Sequence, residues 1–283
     1  MTSIREAVKH VSENRSISRS WRVTWQFIRL NIRSQMEYRV NFFMSIAIGA
    51  VWQVSIVVFA VVLLTRFPGM GNWTSSEVLL IVGMRMLSHG LYVLFFGRIF
   101  ELSSLVQEGR IDTFLLRPLP VYRQVQLAFF PANAVGDLAV ALCLFVDSLI
   151  RSSIEWSPGR ITFLVAAILS GMLLEAAMFT ALSSIALHFP TTSYWSTWLD
   201  ELMGTFGSYP LSILPRAAEA VFTFGIPLAF IAYLPAGVLS GRSATLGVPE
   251  SLAILSPLAG PTAFIATRLL WNHSLRRYPG MNS

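Results

Sequence analysis

In a chain of 283 residues that is 54% hydrophobic and only 13% charged, a mean hydropathy of +0.60 implies more apolar surface than one water-soluble core can bury. That excludes an ordinary soluble domain. The single cysteine, Cys143, excludes an intrachain disulfide, and the net charge of +6 needs only membrane topology and anionic headgroups, with no nucleic-acid partner.

Residues 1–41 form a polar N-terminal segment, expected to be cytoplasmic and to carry no secretory signal peptide, whose apolar core would lie near the start. Within it Trp21, Trp25, Ile28 and Ile32 recur at helical spacing, with Arg22, Arg29 and Arg33 on the neighbouring flank. This predicts an amphipathic helix in the cytoplasmic interface, its indoles at headgroup depth and its guanidinium groups on phosphates. Such a helix either anchors the chain or passes force into the first span.

Six apolar runs follow, each near the ~20 residues that cross a ~30 Å hydrocarbon layer as a helix. They are Phe42 to Leu64, Val78 to Phe96, Val125 to Ile150, Ile161 to Leu187, Ala217 to Leu239 and Leu252 to Trp271. None alternates as outer-membrane barrel strands do, and lipid cannot satisfy an open backbone, so the fold class is all-α. The reading is one transmembrane domain over 1–283, with a six-span bundle over 42–271 and a cytoplasmic tail over 272–283. Cys143 falls in the third span, where packing is its expected role. Between spans four and five, Tyr194, Trp195, Trp198, Asp200 and Glu201 precede Gly204, Gly207 and Pro210, predicting an interfacial helix that ends in a flexible turn. Pro227, Pro235, Pro257 and Pro261 bend spans five and six, either to shape packing or to line a pathway.

Orientation follows from the positive charges, which resist translocation. Sixteen of the 21 Lys and Arg fall on the side that holds both termini. Eight precede the first span, Arg98, Arg110, Arg117 and Arg123 lie between spans two and three, and Arg216, Arg268, Arg276 and Arg277 complete the set. Arg66, Arg151, Arg160 and Arg242 lie opposite, and Arg85 is intramembrane. Both termini are therefore expected to be cytoplasmic.

Charge within hydrocarbon costs about 2.5–3.5 kcal/mol on insertion scales, so Arg85, His89, Asp137, Asp147 and Glu175 each need a reason. Arg85 and His89 are four apart and share one helix face. At ~1.5 Å per residue, Asp137 comes nearer to the depth of Arg85 than Glu175 does, which makes Asp137 the expected partner. The pair either fixes helix register or serves a proton or substrate site.

Catalytic patterns are missing. Lys9 is the only lysine, so neither a phosphate-binding P-loop nor an intramembrane Schiff base can form. His10, His89, His188 and His273 are scattered without ligand spacing, so no metal site is expected. No nucleophile elbow or carboxylate pair stands out, and no catalytic residue is assigned.

The loop between spans two and three runs Phe100-Glu-Leu-Ser-Ser-Leu-Val-Gln-Glu-Gly-Arg-Ile-Asp-Thr-Phe-Leu-Leu-Arg-Pro-Leu-Pro120. Leu102, Leu105 and Val106 make a short apolar helical face, Gly109 permits a turn, and Ile111 to Leu116 form a second short helix that Pro118 stops. From Glu108 to Pro120 this stretch resembles the cytoplasmic signature of type-2 ATP-binding-cassette exporter permeases, in the branch once known as a domain of unknown function. Gly225-Ile-Pro-Leu-Ala-Phe-Ile-Ala-Tyr-Leu-Pro-Ala236 and Leu270-Trp-Asn-His-Ser-Leu-Arg-Arg-Tyr278 are similar to the same branch.

The resemblance implies a half-transporter whose coupling helix, about Phe100 to Leu116, docks on a separate ATPase subunit. ATP and Mg would then be bound by that partner and no cofactor by this chain. It implies two permeases, identical or different, around one pathway in a bacterial plasma membrane, in contact with lipids, and a connecting helix before span one. Gly109 and Pro118 match the signature outright. Leu105, Ile111 and Phe114 are the expected apolar docking anchors, with Glu108, Arg110 and Asp112 as the charges around them. The expected cargo is an amphiphile: a lipid, a glycolipid or a hydrophobic antibiotic. Two other classes stay open, an ion- or proton-coupled carrier using Arg85, Asp137 and Glu175, and a membrane scaffold that transports nothing.

Overall fold

The computed structural model describes residues 25–26, 28–66, 72–117, 119–189 and 193–278, and among them every regular element is helical. Trp21, Arg22, Gly71 and Pro118 lie outside the described residues. Residues 28–37 form α1, which a turn at Tyr38 separates from α2 (Arg39–Arg66). Ile28 and Ile32 are half-buried and Trp25 is exposed. Side-chain amides tie α1 to the bundle: Asn31 Nδ2 donates to the Leu127 carbonyl at 2.7 Å and Gln35 Nε2 to the Phe130 carbonyl at 2.7 Å.

α3 (Ser75–Phe96) begins with a reciprocal cap, in which Thr74 Oγ1 accepts from the Glu77 N–H at 3.4 Å and Glu77 Oε2 accepts from the Thr74 N–H at 2.7 Å. A 3-10 turn, Gly97–Glu101, leads into the short helices α4 (Leu102–Gln107), α5 (Arg110–Leu115) and α6 (Val121–Leu127). α7 (Asn133–Arg151) follows, then α8 (Pro158–Ala186), which starts on a Ser157 cap with proline in its first turn. α2, α3 with its continuation, α7 and α8 are long and apolar enough to cross a membrane. The chain is a membrane protein.

The bundle is held by close backbone approach as much as by large side chains. α2 and α7 cross where Gly49 faces the Asn133 carbonyl and Gly136 faces the Ile46 carbonyl. α13 (Ala259–Arg276) lies along α8, with Gly260 on the Ser170 carbonyl and the Gly260 N–H donating to Ser170 Oγ at 2.9 Å. Small residues at helix crossings are the membrane solution to packing, since lipid offers no hydrophobic drive between apolar helices. The rest of α2 turns Phe43, Val51, Val58 and Val62 outward, as a surface bathed in hydrocarbon allows. Cys143 also faces out of the bundle and fills no core position, contrary to the packing role expected for it.

Two expected spans are drawn differently. The third starts at Asn133, not Val125, because α6 ends first and Pro131 both lacks an N–H and disfavours helix in the residue before it. The sixth is broken: α12 (Glu250–Ile254) and a 3-10 turn holding Pro257 precede α13.

The larger correction concerns 217–239. α9 (Ser193–Phe206) packs on α4 and α8 and leads on toward the middle of α3. Its far end sets Gly207 against Arg85, the Tyr209 ring against Phe59 (centroids 6.4 Å apart), and Ser212 Oγ as acceptor for Trp73 Nε1–H at 3.2 Å. Trp73 marks the start of α3, so Ser212 has reached that end. Arg242 Nε lies 2.6 Å from Glu77 Oε1, so the chain is at the same end again thirty residues later. In between, α10 (Arg216–Ala220) continues as a wide π-turn to Gly225, breaks at Pro227, and returns through α11 (Tyr233–Leu239), the two arms bent by 73°. The Ile231 carbonyl backs onto Gly171, thirteen residues into α8, about 20 Å from that helix's start at 1.5 Å per residue. Residues 216–239 therefore dip into the bundle and come back, and Arg216 moves to the side of Glu77. Hydropathy reports apolar surroundings, which a re-entrant hairpin shares with a through-span.

Candidate functional site

α4 and α5 are joined by Gly109 at φ 69°, ψ 11°, a left-handed conformation that costs a residue with a Cβ roughly 1–2 kcal/mol. The expected pair of short helices about this glycine is thus present. Its inner face is fixed to the bundle: Ser183 Oγ donates to the Ile99 carbonyl at 2.9 Å, and Gln124 Nε2 donates to the Phe114 and Leu119 carbonyls at 2.8 and 2.7 Å. Arg98 pairs with Glu101 and stacks on Phe129, its guanidinium carbon 4.3 Å from the ring centroid. Below α5, Tyr278 lies near Asp112; burial first, then the Asp112 carboxylate, raise the Tyr278 hydroxyl above its ordinary value.

Leu105, Ile111 and Phe114, expected as docking anchors, are buried within the protein itself. An amphipathic pattern tells that a face is covered, not by whom. The outward face instead presents Glu108, Arg110, Thr113, Leu115 and Leu116, the last 87% exposed, with Glu108 Oε2 3.7 Å from Arg110 Nη1. Asp112 is half-buried between the two faces.

Within the bundle, Arg85 is 4% exposed and Glu175 0%. Arg85 Nη1 lies 3.9 Å from Glu175 Oε1, and His89 Nδ1 lies 2.9 Å from Glu175 Oε2, so Glu175 serves both members of the α3 pair. The expected Arg85–Asp137 pair is not formed. Asp137 sits in the second turn of the shortened α7, 3.5 Å from Asn133 Nδ2 and beside Gly49. Asp147 is bound to Arg151 Nε at 2.8 Å on the exposed side of α7.

A cavity of 460 Å³ opens between α2, α3 and α9, lined by Trp52, Gln53, Phe59, Arg85, His89, Asp200, Glu201, Ser208 and Tyr209. A neighbouring cavity of 390 Å³ shares Trp52, His89 and Asp200 and reaches Asp137, Arg98 and Glu101. The structure thus gathers Arg85, His89 and Glu175 at one place, with Asp137 in the adjoining space. It adds Gln53, Asp200 and Glu201, which sequence reasoning left out. Two adjacent acids beside an aromatic cluster were the available signal, and they read as the polar edge of an interfacial helix. Among the described residues, no group of three or more His, Cys, Asp or Glu side chains could hold a metal ion.

The sequence profile described as ABC-2 family transporter protein matches residues 50–281. The chain belongs to that family. No curated protein and no solved structure gives a match. As an ABC-2 permease it is the membrane-embedded part of an ATP-binding-cassette transporter, in a family of transport subunits that are generally not enzymes and typically work with ATPase subunits. In the permease, α3 carries Arg85 and His89 on the cavity wall and runs directly into the 3-10 turn and α4–α5. One helix and a short 3-10 turn thus connect the polar cavity to α4–α5.

Proposed function

We propose that this permease is the pathway subunit of an exporter of amphiphilic cargo, driven by a separate ATPase subunit that seats on the outward face of α4–α5. The direct succession of α3, one short 3-10 turn and α4–α5 carries the reading, since a push on α4–α5 is passed to the helix that bears Arg85 and His89. ATP and Mg bind the partner; two permeases, identical or different, enclose the pathway in a bacterial plasma membrane. The cargo is a lipid, a glycolipid or a hydrophobic antibiotic. The bundle crosses six times, with α9 and its following turn as the fifth crossing and α12–α13 as the sixth, and both termini are cytoplasmic.

Docking is tested on the face that is free to meet a partner. Leu116→Asp with Arg110→Glu should weaken ATPase pull-down by about tenfold or more, as loss of an interface anchor does, while leaving thermal stability unchanged. Gly109→Val should retain the ATPase but uncouple hydrolysis from transport, because a Cβ in the left-handed region tilts α5 against α4. Wild-type pull-down and transport in both variants return the element to a linker.

Topology is tested in a Cys143→Ser background. A cysteine at Ser243, beside Arg242 and Glu77, should react with an impermeant maleimide added to intact cells, and one at the exposed Ser104 only after permeabilisation. The reverse pattern inverts the orientation.

The His89–Glu175 contact supports a second reading, a proton-coupled carrier. Uptake into vesicles that follows an imposed pH gradient without nucleotide would favour it.

A further inference from the structure

We propose that the 460 Å³ cavity binds a lipophilic organic cation, best one that carries an N–H donor, a class narrower than the amphiphiles above and one that rests on the export reading. The charges facing this space do not balance. Glu175 already takes both Arg85 and His89, and in the adjoining cavity Arg98 is taken by Glu101. Asp200 and Glu201 line the cavity with no cation in ion-pair distance among the described residues, and Asp137 next door has none either. An anionic cargo would meet half-buried Asp200 and exposed Glu201 with no cation between, and an apolar one would strip water from them without replacing it.

A second, independent observation points to a hydrogen-bond donor. Gln53 lines the same cavity at 1% exposure, and its Oε1 has no partner. A buried acceptor left open favours a ligand whose N–H reaches it. Arg85 Nε, also without a partner, faces Gly207 and accommodates a neutral oxygen on the same ligand. Trp52, Phe59 and Tyr209 complete the wall with ring surface, which attracts an alkylammonium and packs an apolar body. The volume lies within the ~300–1,000 Å³ typical of small-molecule pockets.

The test uses the purified full-length permease in phosphatidylcholine nanodiscs, with rhodamine 6G as fluorescent probe. Tetraphenylphosphonium and tetraphenylborate, matched in bulk and opposite in charge, serve as competitors. Saturable rhodamine 6G binding that only the phosphonium displaces is the expected result. Asp200→Asn with Glu201→Gln should weaken it by about tenfold or more, and Glu201→Lys should shift competition toward the borate, with thermal unfolding confirming that each variant is folded. No saturable binding by the wild type, equal displacement by both ions, or a neutralised variant within about twofold of wild type overturns the proposal. That outcome leaves an exporter with another cargo. Failure to hold an ATPase subunit, with the cation still bound, removes the export reading and not the site.

Discussion

Glu175→Ala should unfold or strand the permease more severely than any other single change to its polar groups. Glu175 is fully buried and is the only acid within ion-pair distance of Arg85 or His89 among the described residues. Removing one member of a buried ion pair leaves an uncompensated charge and costs about 3–5 kcal/mol. Glu175→Gln should do less harm, because the amide oxygen still accepts from His89. Arg85→Met with Glu175→Leu should recover most of the loss, since an apolar pair of similar volume replaces the charges without leaving either exposed to lipid. Thermal unfolding in detergent reads all four proteins. A double-mutant cycle should show strong coupling between Arg85 and Glu175, and additivity within about 0.5 kcal/mol between Arg85 and Asp137.

The second large effect is steric. A Cβ on Gly136 would fall inside the contact distance of the Ile46 carbonyl oxygen, and neither backbone can swing aside as a flexible side chain could. Gly136→Val should therefore force α2 away from α7, at about 1–3 kcal/mol or more for overpacking, with α2 the helix released because it has few other contacts. Gly260→Val should open the α8–α13 crossing in the same way. Gly204→Ala is the control: nothing lies within 4 Å of its Cβ, and its helical position should gain about 0.5–1 kcal/mol. Melting temperatures of the three variants, read side by side, separate a crossing from a mere preference for small residues.

Several features were legible in sequence because local chemistry decides them. The apolar runs over α2, α3 and α8 could be nothing but membrane helices, and the Leu102–Val106 face, Gly109 and the second short helix are drawn much as the residues suggest. What sequence could not give depends on how segments meet. Hydropathy cannot tell a hairpin that re-emerges at Glu77 from a helix that goes through, so 217–239 read as a span. Depth counted along each helix from its outer end favours Asp137 over Glu175, but which helix face turns toward Arg85 is a tertiary fact. Leu105, Ile111 and Phe114 read as a sticky face, and which surface covers them is a tertiary fact. Asp200 and Glu201 read as interfacial because the residues that share their cavity, Gln53, Arg85 and His89, come from helices more than a hundred residues earlier.

The central claim is that this permease works only through an ATPase bound on its cytoplasmic side. The most direct measurement is intact-complex mass spectrometry on the permease affinity-purified from its native membranes, with ATP hydrolysis followed on the same sample. The account predicts permease and nucleotide-binding subunits in equal numbers, hydrolysing Mg-ATP, and falling apart in the Leu116→Asp, Arg110→Glu variant. A permease recovered without any nucleotide-binding subunit, and moving solute in vesicles with a pH gradient alone, would contradict it.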